Sequence, residues 1–504
     1  LMNHARALVY MFPMSLSSYM VQKNLLNTNY KFLIQTKIIF NPYSSSENMT
    51  LSKKYILLLF ISMIYFLSCS EDKSKLFTKL SEKNTGIDFR NMLMETNADF
   101  NIMQYAYFYN GGGVAVCDIN NDSLPDIIFT GNMVKNRLYL NKGNFHFEDI
   151  TVQSGIAAKE GWCTGATAAD VNGDGYIDLF IGGRAVPWEY GKIPASYLLL
   201  NDGSGRFTDQ TTKYSSTLSL KGMVTDARWA DMDHDGRIDL LTCLEWGGIY
   251  CYRNTGKNSF EEIPLTDKHG WWNFMLPVDI DGDGDIDLVA GNMGDNTRFK
   301  ATEEKPLTLY YNDFDDNGKK EQVLTYYLGG KEIPFANKDE LTRQLPSLKK
   351  KYLYAEDFAK AKLSDIFAAG KLEAAQKFTA GYFDNAVLIN NGHWQFSLQS
   401  LPWQAQLTSY RDAAVVNINN DNLPDILLGG NFYPNNIQMG RYDADYGSLL
   451  VNKGKGQFEY RPLNGLVIKG EVRHILPLTI NGQTNYACAR NNDSLVVLRF
   501  KQQF

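Results

Sequence analysis

The sequence predicts an all-β fold, a β-propeller of seven blades with four antiparallel strands each and one helical insertion. A nine-residue pattern of acidic and amide residues occurs six times, and its first four copies begin 52, 61 and 48 residues apart. Short apolar runs rich in β-branched residues flank the copies, and most copies precede a strand ending in Asn-x-Gly and a strand containing Phe. A repeat of this length built from short strands is typical of propeller blades.

The nine-residue pattern places oxygen-bearing side chains at positions one, three, five and nine, and four copies have glycine at position six. With a backbone carbonyl at position seven, such a loop supplies the oxygens that a hard cation with six to eight ligands requires. We therefore predict about five Ca²⁺ sites of this type. The predicted ligands are Asp118, Asn120, Asp122 and Asp126; Asp170, Asn172, Asp174 and Asp178; Asp231, Asp233, Asp235 and Asp239; Asp279, Asp281, Asp283 and Asp287; Asp313, Asp315, Asn317 and Glu321; and Asn417, Asn419, Asp421 and Asp425.

The six loops differ in their number of acids. The third and fourth loops have acids at all four ligand positions, so we expect them to bind most tightly. The sixth loop has only two acids and should bind most weakly. Asp, Asn and Gly also cluster in turns that bind no metal, and this alternative remains open, above all for the sixth loop.

The strand pattern assigns the blades. Six blades begin near residues 114, 166, 223, 274, 413 and 472, and a further one is recognised by outer strands at residues 383–390 and 395–398. The fifth loop is interpreted as the outer hairpin of the fourth blade. The last blade has three strands, and a strand at residues 76–80 is predicted to complete it and close the ring.

Residues 337–380 interrupt this pattern. Apolar residues recur every three or four positions at 340–345, 355–363 and 371–378, which predicts helices. This insertion should lie on one face of the disc, either as a binding element or as a solvated cap.

These features resemble FG-GAP or VCBS repeats, the blades also found in the integrin α propeller, from about residue 75 to the end of the chain. Phrases in the insertion, at residues 339–346 and 354–361, resemble the Bacteroidetes ASPIC/UnbV-associated VCBS repeat proteins, which are outer-surface proteins. The resemblance implies a calcium-binding propeller at the cell surface. That group is sometimes labelled RNA-binding, but this sequence has no basic face and no RNA-recognition signature.

The N-terminal region has the parts of a secretory signal. Residues 49–68 combine two lysines, an apolar run and small residues, and Cys69 follows, as in a bacterial lipoprotein signal with lipid on the cysteine. A plain signal peptide or an anchor helix remains an alternative. Acidic residues at 71 and 72 resemble a surface-export signal, which predicts attachment to the outer membrane, facing the exterior. Residues 1–48 are interpreted as an upstream or non-native extension, residues 69–90 as a linker with the ring-closing strand, and residues 91–504 as the propeller.

The charge of the chain supports a calcium-binding protein, whereas its cysteines indicate less. The chain has a net charge of −6, residues 1–68 contribute +5, and the remainder therefore carries −11, which about five Ca²⁺ ions would nearly neutralise. Neither state favours nucleic acid as a partner. The five cysteines after Cys69 are expected to be small buried hydrophobes, with Cys243 and Cys251 as one possible disulfide.

No catalytic motif is recognisable in the sequence, so we predict a protein that is not an enzyme. The first hypothesis is a surface lipoprotein whose propeller binds a glycan or an outer-membrane or extracellular protein. A polysaccharide-degrading enzyme and a purely structural adhesion or assembly partner are the alternatives. Trp188, Trp271 and Trp272 are the best candidates for ligand contact, because neighbouring Pro or Gly residues predict loops.

Overall fold

The computed structural model describes residues 80–92, 94, 112–131, 133–156, 162–419, 421–433, 435, 438–463, 465–480 and 482–499. These residues belong to one compact unit, Leu80–Phe504. The predicted signal peptide, the predicted lipid attachment at Cys69 and residues 1–48 lie outside the described residues. Residues 76–79 of the predicted closing strand also lie outside them.

The first three repeats each form an antiparallel sheet in which neighbours in sequence are neighbours in space. Sheet I consists of β1 (Val114–Cys117), β2 (Asp126–Phe129), β3 (Arg137–Asn141) and β4 (Phe147–Asp149). Sheet II consists of β5 (Trp162–Ala169), β6 (Asp178–Ala185), β7 (Tyr197–Asn201) and β8 (Phe207–Asp209). Sheet III consists of β9 (Met223–Ala230), β10 (Asp239–Gly247), β11 (Ile249–Asn254), β12 (Phe260–Pro264) and the short β13 (Gly270–Trp271), which pairs with β10.

The fourth repeat is interrupted by an inserted sheet. Sheet IV begins with β14 (Phe274–Val278) and β15 (Asp287–Gly291). The inserted sheet has the order β18-β17-β16-β19. Its strands are β16 (Leu307–Asn312), β17 (Glu321–Leu328), β18 (Lys331–Pro334) and β19 (Gln376–Ala380). Sheet IV is then completed by β20 (Ala386–Asn390) and β21 (Phe396–Ser400).

Two further repeats follow. Sheet V consists of β22 (Tyr410–Val416), β23 (Asp425–Gly430), β24 (Ser448–Asn452) and β25 (Phe458–Pro462). Sheet VI consists of β26 (Glu471–Ile480), β27 (Gln483–Asn491) and β28 (Val496–Arg499). The described residues thus form an all-β fold of antiparallel, mostly four-stranded sheets, which is consistent with a β-propeller.

The blade assignment from sequence is wrong at two points. The strands near residues 383–390 and 395–398 do not form a separate blade, because β20 pairs with β15 and completes sheet IV. The fifth loop is not the outer hairpin of the fourth blade, because it joins β16 to β17 in the inserted sheet. Six sheets follow the repeat and one is inserted, so the structure does not confirm seven blades.

Sheets II to V are each buried on both faces by neighbouring sheets, whereas sheets I and VI each pack against one neighbour among the described residues and keep apolar residues such as Val116 and Leu476 exposed. In the second strand of sheet II, Leu179 and Ile181 pack against sheet I, whereas Phe180 packs against sheet III. The same alternation directs Leu240 toward sheet II and Leu241 toward sheet IV. Because successive side chains of a strand point to opposite faces, a run of apolar residues fills both interfaces. This packing explains why the second strands read as unbroken apolar segments.

The first strands lie next to one another in sequence order: β1 contacts β5, β5 contacts β9, β9 contacts β14, β14 contacts β22, and β22 contacts β26. Arg228 of β9 forms ion pairs with Asp226 of the same strand and Asp412 of β22. These two aspartates also accept backbone N–H groups of the next sheet, from Met275 and Ile475 at 3.0 and 2.9 Å. Polar side chains therefore join the first strands of sheets III to VI.

The described helices are short. They are α1 (Glu82–Thr85), α2 (Thr151–Ser154), α3 (Thr211–Tyr214), α4 (Lys338–Gln344), α5 (Ser347–Lys351), α6 (Ala355–Lys360), α7 (Leu363–Ile366) and α8 (Ala369–Glu373). The last five lie within the predicted insertion, and Asn337 begins α4 with a capping box completed by Glu340. The third helix predicted there is wrong beyond residue 373, because β19 starts at Gln376.

The five described cysteines form no disulfide with one another, so the possible disulfide between Cys243 and Cys251 is not formed. Four of them are buried, and burial raises the thiol pKa of Cys163 to about 12. Among the described residues, no helix has both the length and the hydropathy that crossing a membrane requires.

Candidate calcium loops and a central cavity

The ninth residue of each loop is a carboxylate that ties the loop to the sheet behind it. Asp239 is fully buried, and its two oxygens accept the backbone N–H groups of Met232 and Asn254 at 3.0 and 2.7 Å. Asp126, Asp178, Asp287 and Asp425 make the same pair of hydrogen bonds in their own repeats. The loop, the second strand and the third strand are therefore joined at one side chain.

The remaining loop residues curl the backbone around the acids. In the third loop, Asp231 accepts the N–H groups of Asp235 and Gly236 at 3.1 and 2.9 Å. Gly236 has φ +85°, a conformation that residues with a Cβ adopt at a cost. The first loop has Ser123 at the equivalent position, with φ +68°. Glycine at position six thus allows the positive φ angle that the loop requires.

Three loops bring carboxylate oxygens close enough to share a cation. The oxygens of each group lie within 4.8 Å of one another, and the groups are Asp231, Asp233 and Asp239; Asp279, Asp281 and Asp287; and Asp313, Asp315 and Glu321. In two of these groups, Asp281 Oδ1 and Asp315 Oδ1 are buried and have no hydrogen-bond partner. A buried carboxylate oxygen without a partner is costly unless a cation neutralises it. These residues therefore fit a hard cation such as Ca²⁺.

The third loop differs from the fourth in its charge balance. Arg253 Nε donates to Asp233 Oδ2 at 2.6 Å, and Arg237 pairs with Asp235. No ion pair to the acids of the fourth loop occurs among the residues described. The two loops look equivalent in sequence, but only the fourth holds its acids without cationic side chains.

Asparagine stands at position three in the first, second and sixth loops, where the other loops have an acid. Its side-chain amide donates to the acid at position five, as in Asn120 to Asp122 at 3.0 Å, Asn172 to Asp174 at 2.8 Å and Asn419 to Asp421 at 2.6 Å. The amide N–H therefore relieves part of the repulsion in these loops, and the amide would have to turn its oxygen inward to bind a cation.

Burial makes ionisation of the ninth residues unfavourable. It raises the carboxyl pKa of Asp178, Asp239 and Asp287 to about 6, although two backbone N–H groups oppose the shift in each case. The pKa of Glu321 is also raised, mainly by burial. A cation bound beside these groups would favour their charged forms.

In sheets II, III and V, the asparagine of the Asn-x-Gly motif links neighbouring repeats. Asn254 Nδ2 donates to the carbonyl of Val171, in the loop of the preceding sheet, at 2.7 Å. Asn201 reaches Ile119 at 2.6 Å and Asn452 reaches Ile280 at 2.7 Å in the same way. Loops also touch directly, because His234 Nε2 lies 2.8 Å from the carbonyl oxygen of Gly284. The motif therefore couples the first, second and fourth loops to the next sheet.

The three candidate tryptophans lie in different places. Trp188 is 37% exposed, and its carbonyl accepts Gln322 Nε2 of the inserted sheet at 3.1 Å. Trp272 is fully buried and stacks on Tyr382. Trp271 lies in β13, not in the expected loop, and packs against Trp246. Neither Trp271 nor Trp272 is exposed on a face of the molecule.

A cavity of about 900 Å³ lies where the first strands of all six repeats meet. Each of these strands contributes at least one wall residue, and the inserted sheet and α4 supply further wall residues, including Leu324, Phe335 and Arg343. Sequence reasoning missed this cavity. The sequence feature that could have indicated the cavity is the presence of Arg411 and Arg473 in strands that otherwise face a core.

The FG-GAP-like repeat model matches residues 118–181 and 231–290, so the chain contains FG-GAP-like repeats. Cartilage acidic protein 1 of Xenopus tropicalis is 30% identical over 36% of this chain and 29% of its own length. Integrin alpha-V of Gallus gallus is 29% identical over 38% of this chain and 20% of its own length. The chain spans less than a third of the length of these relatives.

A solved structure of a lectin from Agrocybe aegerita, described as recognising non-reducing terminal N-acetylglucosamine, aligns with 70% of this chain and 79% of its own. The sequence identity is 16% and the TM-score is 0.28, which is too low to support an argument about this chain.

Proposed function

We propose that this chain is a non-catalytic binding module whose sheets are held together by Ca²⁺ in the loops. The observation that carries the calcium part is the pair of buried carboxylate oxygens of Asp281 and Asp315, which have no hydrogen-bond partner. The FG-GAP-like repeats and the similarity to integrin alpha-V favour binding over catalysis. When bound, Ca²⁺ would neutralise the loop acids and stiffen the junctions between sheets.

The proposed setting is the outer surface of the outer membrane, with the chain anchored through lipid on Cys69. The signal-like segment at residues 49–68 and the acidic residues that follow the cysteine support this placement. Extracellular calcium modules work at roughly 0.1 to 1 mM affinity, which matches calcium levels outside cells. Metabolic labelling with a fatty-acid analogue tests the anchor, and Cys69→Ala should abolish the label.

The proposed partner is an extracellular or outer-membrane protein, or a glycan. Trp188 is the candidate contact residue that remains exposed, beside the inserted sheet. Exposed tryptophans are favoured anchors in protein interfaces and stack on sugar rings. We therefore expect Trp188→Ala to weaken binding while leaving the melting temperature nearly unchanged.

Affinity capture from the surface fraction and a glycan array, both with the full chain in calcium, separate the two partner classes. Trp403→Ala is the matched control, because Trp403 is 69% exposed and lies in the connection between β21 and β22. Activity of the purified chain on a polysaccharide would contradict the proposal and favour the enzyme hypothesis. Capture of a membrane protein without any glycan binding would favour the adhesion or assembly role.

A further inference from the structure

The first strands of four repeat sheets contain a β-bulge in their pairing with the second strand. The residues skipped by the pairing are Thr164 in β5, Thr225 in β9, Arg411 in β22 and Arg473 in β26. A bulge leaves its extra residue outside the ladder and redirects the side chain. Thr225, Arg411 and Arg473 all line the central cavity. Two adjacent sheets therefore use the same backbone device to present an arginine to one space.

Arg411 has donors that the protein does not fully use. One guanidinium nitrogen donates to Asn273 Oδ1 at 2.6 Å, but Nε is buried and has no hydrogen-bond partner. No carboxylate forms an ion pair with Arg411 in the described part of the chain. Its guanidinium carbon lies 4.7 Å from the ring centroid of Phe432, and that of Arg473 lies 5.5 Å from the same centroid. The two cationic groups thus converge on one aromatic ring.

The other cavity arginines near Arg411 have acidic partners. Arg184 pairs with Glu245, and Arg473 pairs with Glu471 at 3.0 Å. Burial, together with Arg473 and Arg184, lowers the pKa of Arg411 to about 9. The positive charge of Arg411 is therefore maintained at an energetic cost, which a bound anion would remove.

The rest of the wall is apolar and aromatic. Trp246, Trp271, Leu324 and Phe335 line the cavity, and Trp271 Nε1 is a buried donor without a partner. A space of about 900 Å³ is within the range of small-molecule sites, which combine an apolar lining with few polar groups. Arginine binds planar carboxylates with two parallel hydrogen bonds.

We propose that this cavity binds a small organic carboxylate, with its carboxylate group on Arg411 and Arg473 and its ring-shaped or apolar body against Phe432 and Trp271. The cavity wall reaches solvent at Val114 and Leu476, which are 54% and 59% exposed. The proposed ligand therefore has a path to the arginines. This site goes beyond the proposed surface function, because it lies between the first strands and does not include Trp188.

Titration calorimetry on the full chain in calcium tests the proposal with two pairs of probes, benzoate with benzamide and galacturonate with galactose. Each pair has the same kind of body and differs in charge. We expect at least one carboxylate to bind and its neutral counterpart to bind at least about tenfold more weakly, because charge-assisted hydrogen bonds are the stronger ones. Failure of both carboxylates to bind would overturn the proposal, as would equal binding of the neutral probes or tighter binding of inorganic phosphate.

Two variants locate the site. Arg411→Lys keeps the charge but removes the planar fork, and it should weaken carboxylate binding at least about tenfold. Asn273→Asp places an acid beside Arg411 and should abolish binding even if Arg411→Lys does not fold. Arg461→Lys is the control, because Arg461 is half exposed in β25 and pairs with Glu459. Unchanged affinity in a folded Arg411→Lys or Asn273→Asp variant would overturn the assignment.

Discussion

Asp281 and Asp233 are both the third residue of a candidate calcium loop, but their surroundings differ. Asp281 Oδ1 is buried without a hydrogen-bond partner, whereas Asp233 Oδ2 accepts Arg253 Nε at 2.6 Å. Burial and the neighbouring Asp283 and Asp279 raise the pKa of Asp281, so its charge is unfavourable without a cation. We therefore expect the fourth loop to depend on a cation more strongly than the third.

This difference predicts opposite effects of Asp281→Asn in the two metal states. In chelator the variant should melt at a higher temperature than the parent chain, because a repelled charge is removed. In millimolar calcium it should melt at a lower temperature, because a ligand oxygen has lost its charge. Asp233→Asn, the matched control, should lower stability in chelator, since it removes the shortest ion pair of Arg253. Differential scanning fluorimetry with and without calcium measures both, and identical behaviour of the two variants would contradict the prediction.

Asp445 is a buried carboxylate outside the loops. It is 3% exposed and accepts Ser448 Oγ at 2.6 Å, and burial raises its pKa to about 6. Because the folded-state pKa lies above the unfolded value of 3.8, the proton is bound more tightly in the folded chain. The stability that this proton contributes is fully present below about pH 4 and is lost as the pH rises through about 6.

Between pH 4 and 7, ionisation of Asp445 should therefore lower the free energy of unfolding of the parent chain by roughly 2 kcal/mol. The Asp445→Asn variant should lack this part of the decline. Denaturant unfolding in saturating calcium at several pH values measures this change while the loop acids stay charged. Asp443→Asn is the control, because Asp443 is about half exposed two residues away. An equal change in both variants would show that Asp445 is not the titrating group.

At the level of the elements, the asparagine at the end of each third strand does more than form a turn. Asn254 is 2% exposed and donates to Val171 of the preceding repeat, whereas Asn141 in sheet I donates within its own repeat, to Pro125. Both accept the N–H of the following glycine of the motif. Asn254 therefore links two sheets, whereas among the described residues the side chain of Asn141 donates only within its own repeat.

Asn254→Ala should cost about 1 kcal/mol more stability than Asn141→Ala, which is the typical contribution of one buried hydrogen bond. Urea unfolding of both variants in calcium measures the difference. A link between sheets also predicts a weaker calcium response of the second loop in Asn254→Ala, because Val171 lies within that loop. Equal losses in the two variants would mean that the link contributes nothing.

The elements also show what the sequence could predict. The sequence predicts the strand that ends at Asn390, but it places this strand in a separate blade. The pairing of β15 with β20 joins segments on either side of the inserted sheet and helices. Loop closure costs grow only slowly with length, so a long insertion within a sheet is tolerated, and strand order in sequence does not reveal it. The end of β16, Tyr-Tyr-Asn, resembles the end of the third strand of a repeat. This resemblance explains why the sequence places the fifth loop in the outer hairpin of the fourth blade.

The candidate site, too, is predictable from the sequence only in part. The loop ligands follow from local spacing, because one short segment supplies them. The pairing of Arg253 with Asp233 and the cavity around Arg411 depend on contacts between strands and between repeats. Such contacts have no fixed sequence spacing, so only the structure reveals them. The burial of Trp271 and Trp272 also depends on such contacts. The neighbouring glycine predicts a loop and gives no sign of burial.

At the scale of the whole molecule, the loops and the asparagine links connect successive sheets, so metal in the loops should stabilise the entire unit. Any ligand that binds only the folded state adds stability by mass action, about 1.4 kcal/mol for a site at ten times its Kd. Chelation should therefore lower the melting temperature of the full chain in a single transition, and millimolar Ca²⁺ should restore it. Mg²⁺ at the same concentration should restore little, because it requires a smaller and more regular octahedral shell. Circular dichroism melts with Ca²⁺, Mg²⁺ or chelator at constant ionic strength measure this, and a melting temperature unaffected by chelation would mean that the acidic loops are turns that need no metal.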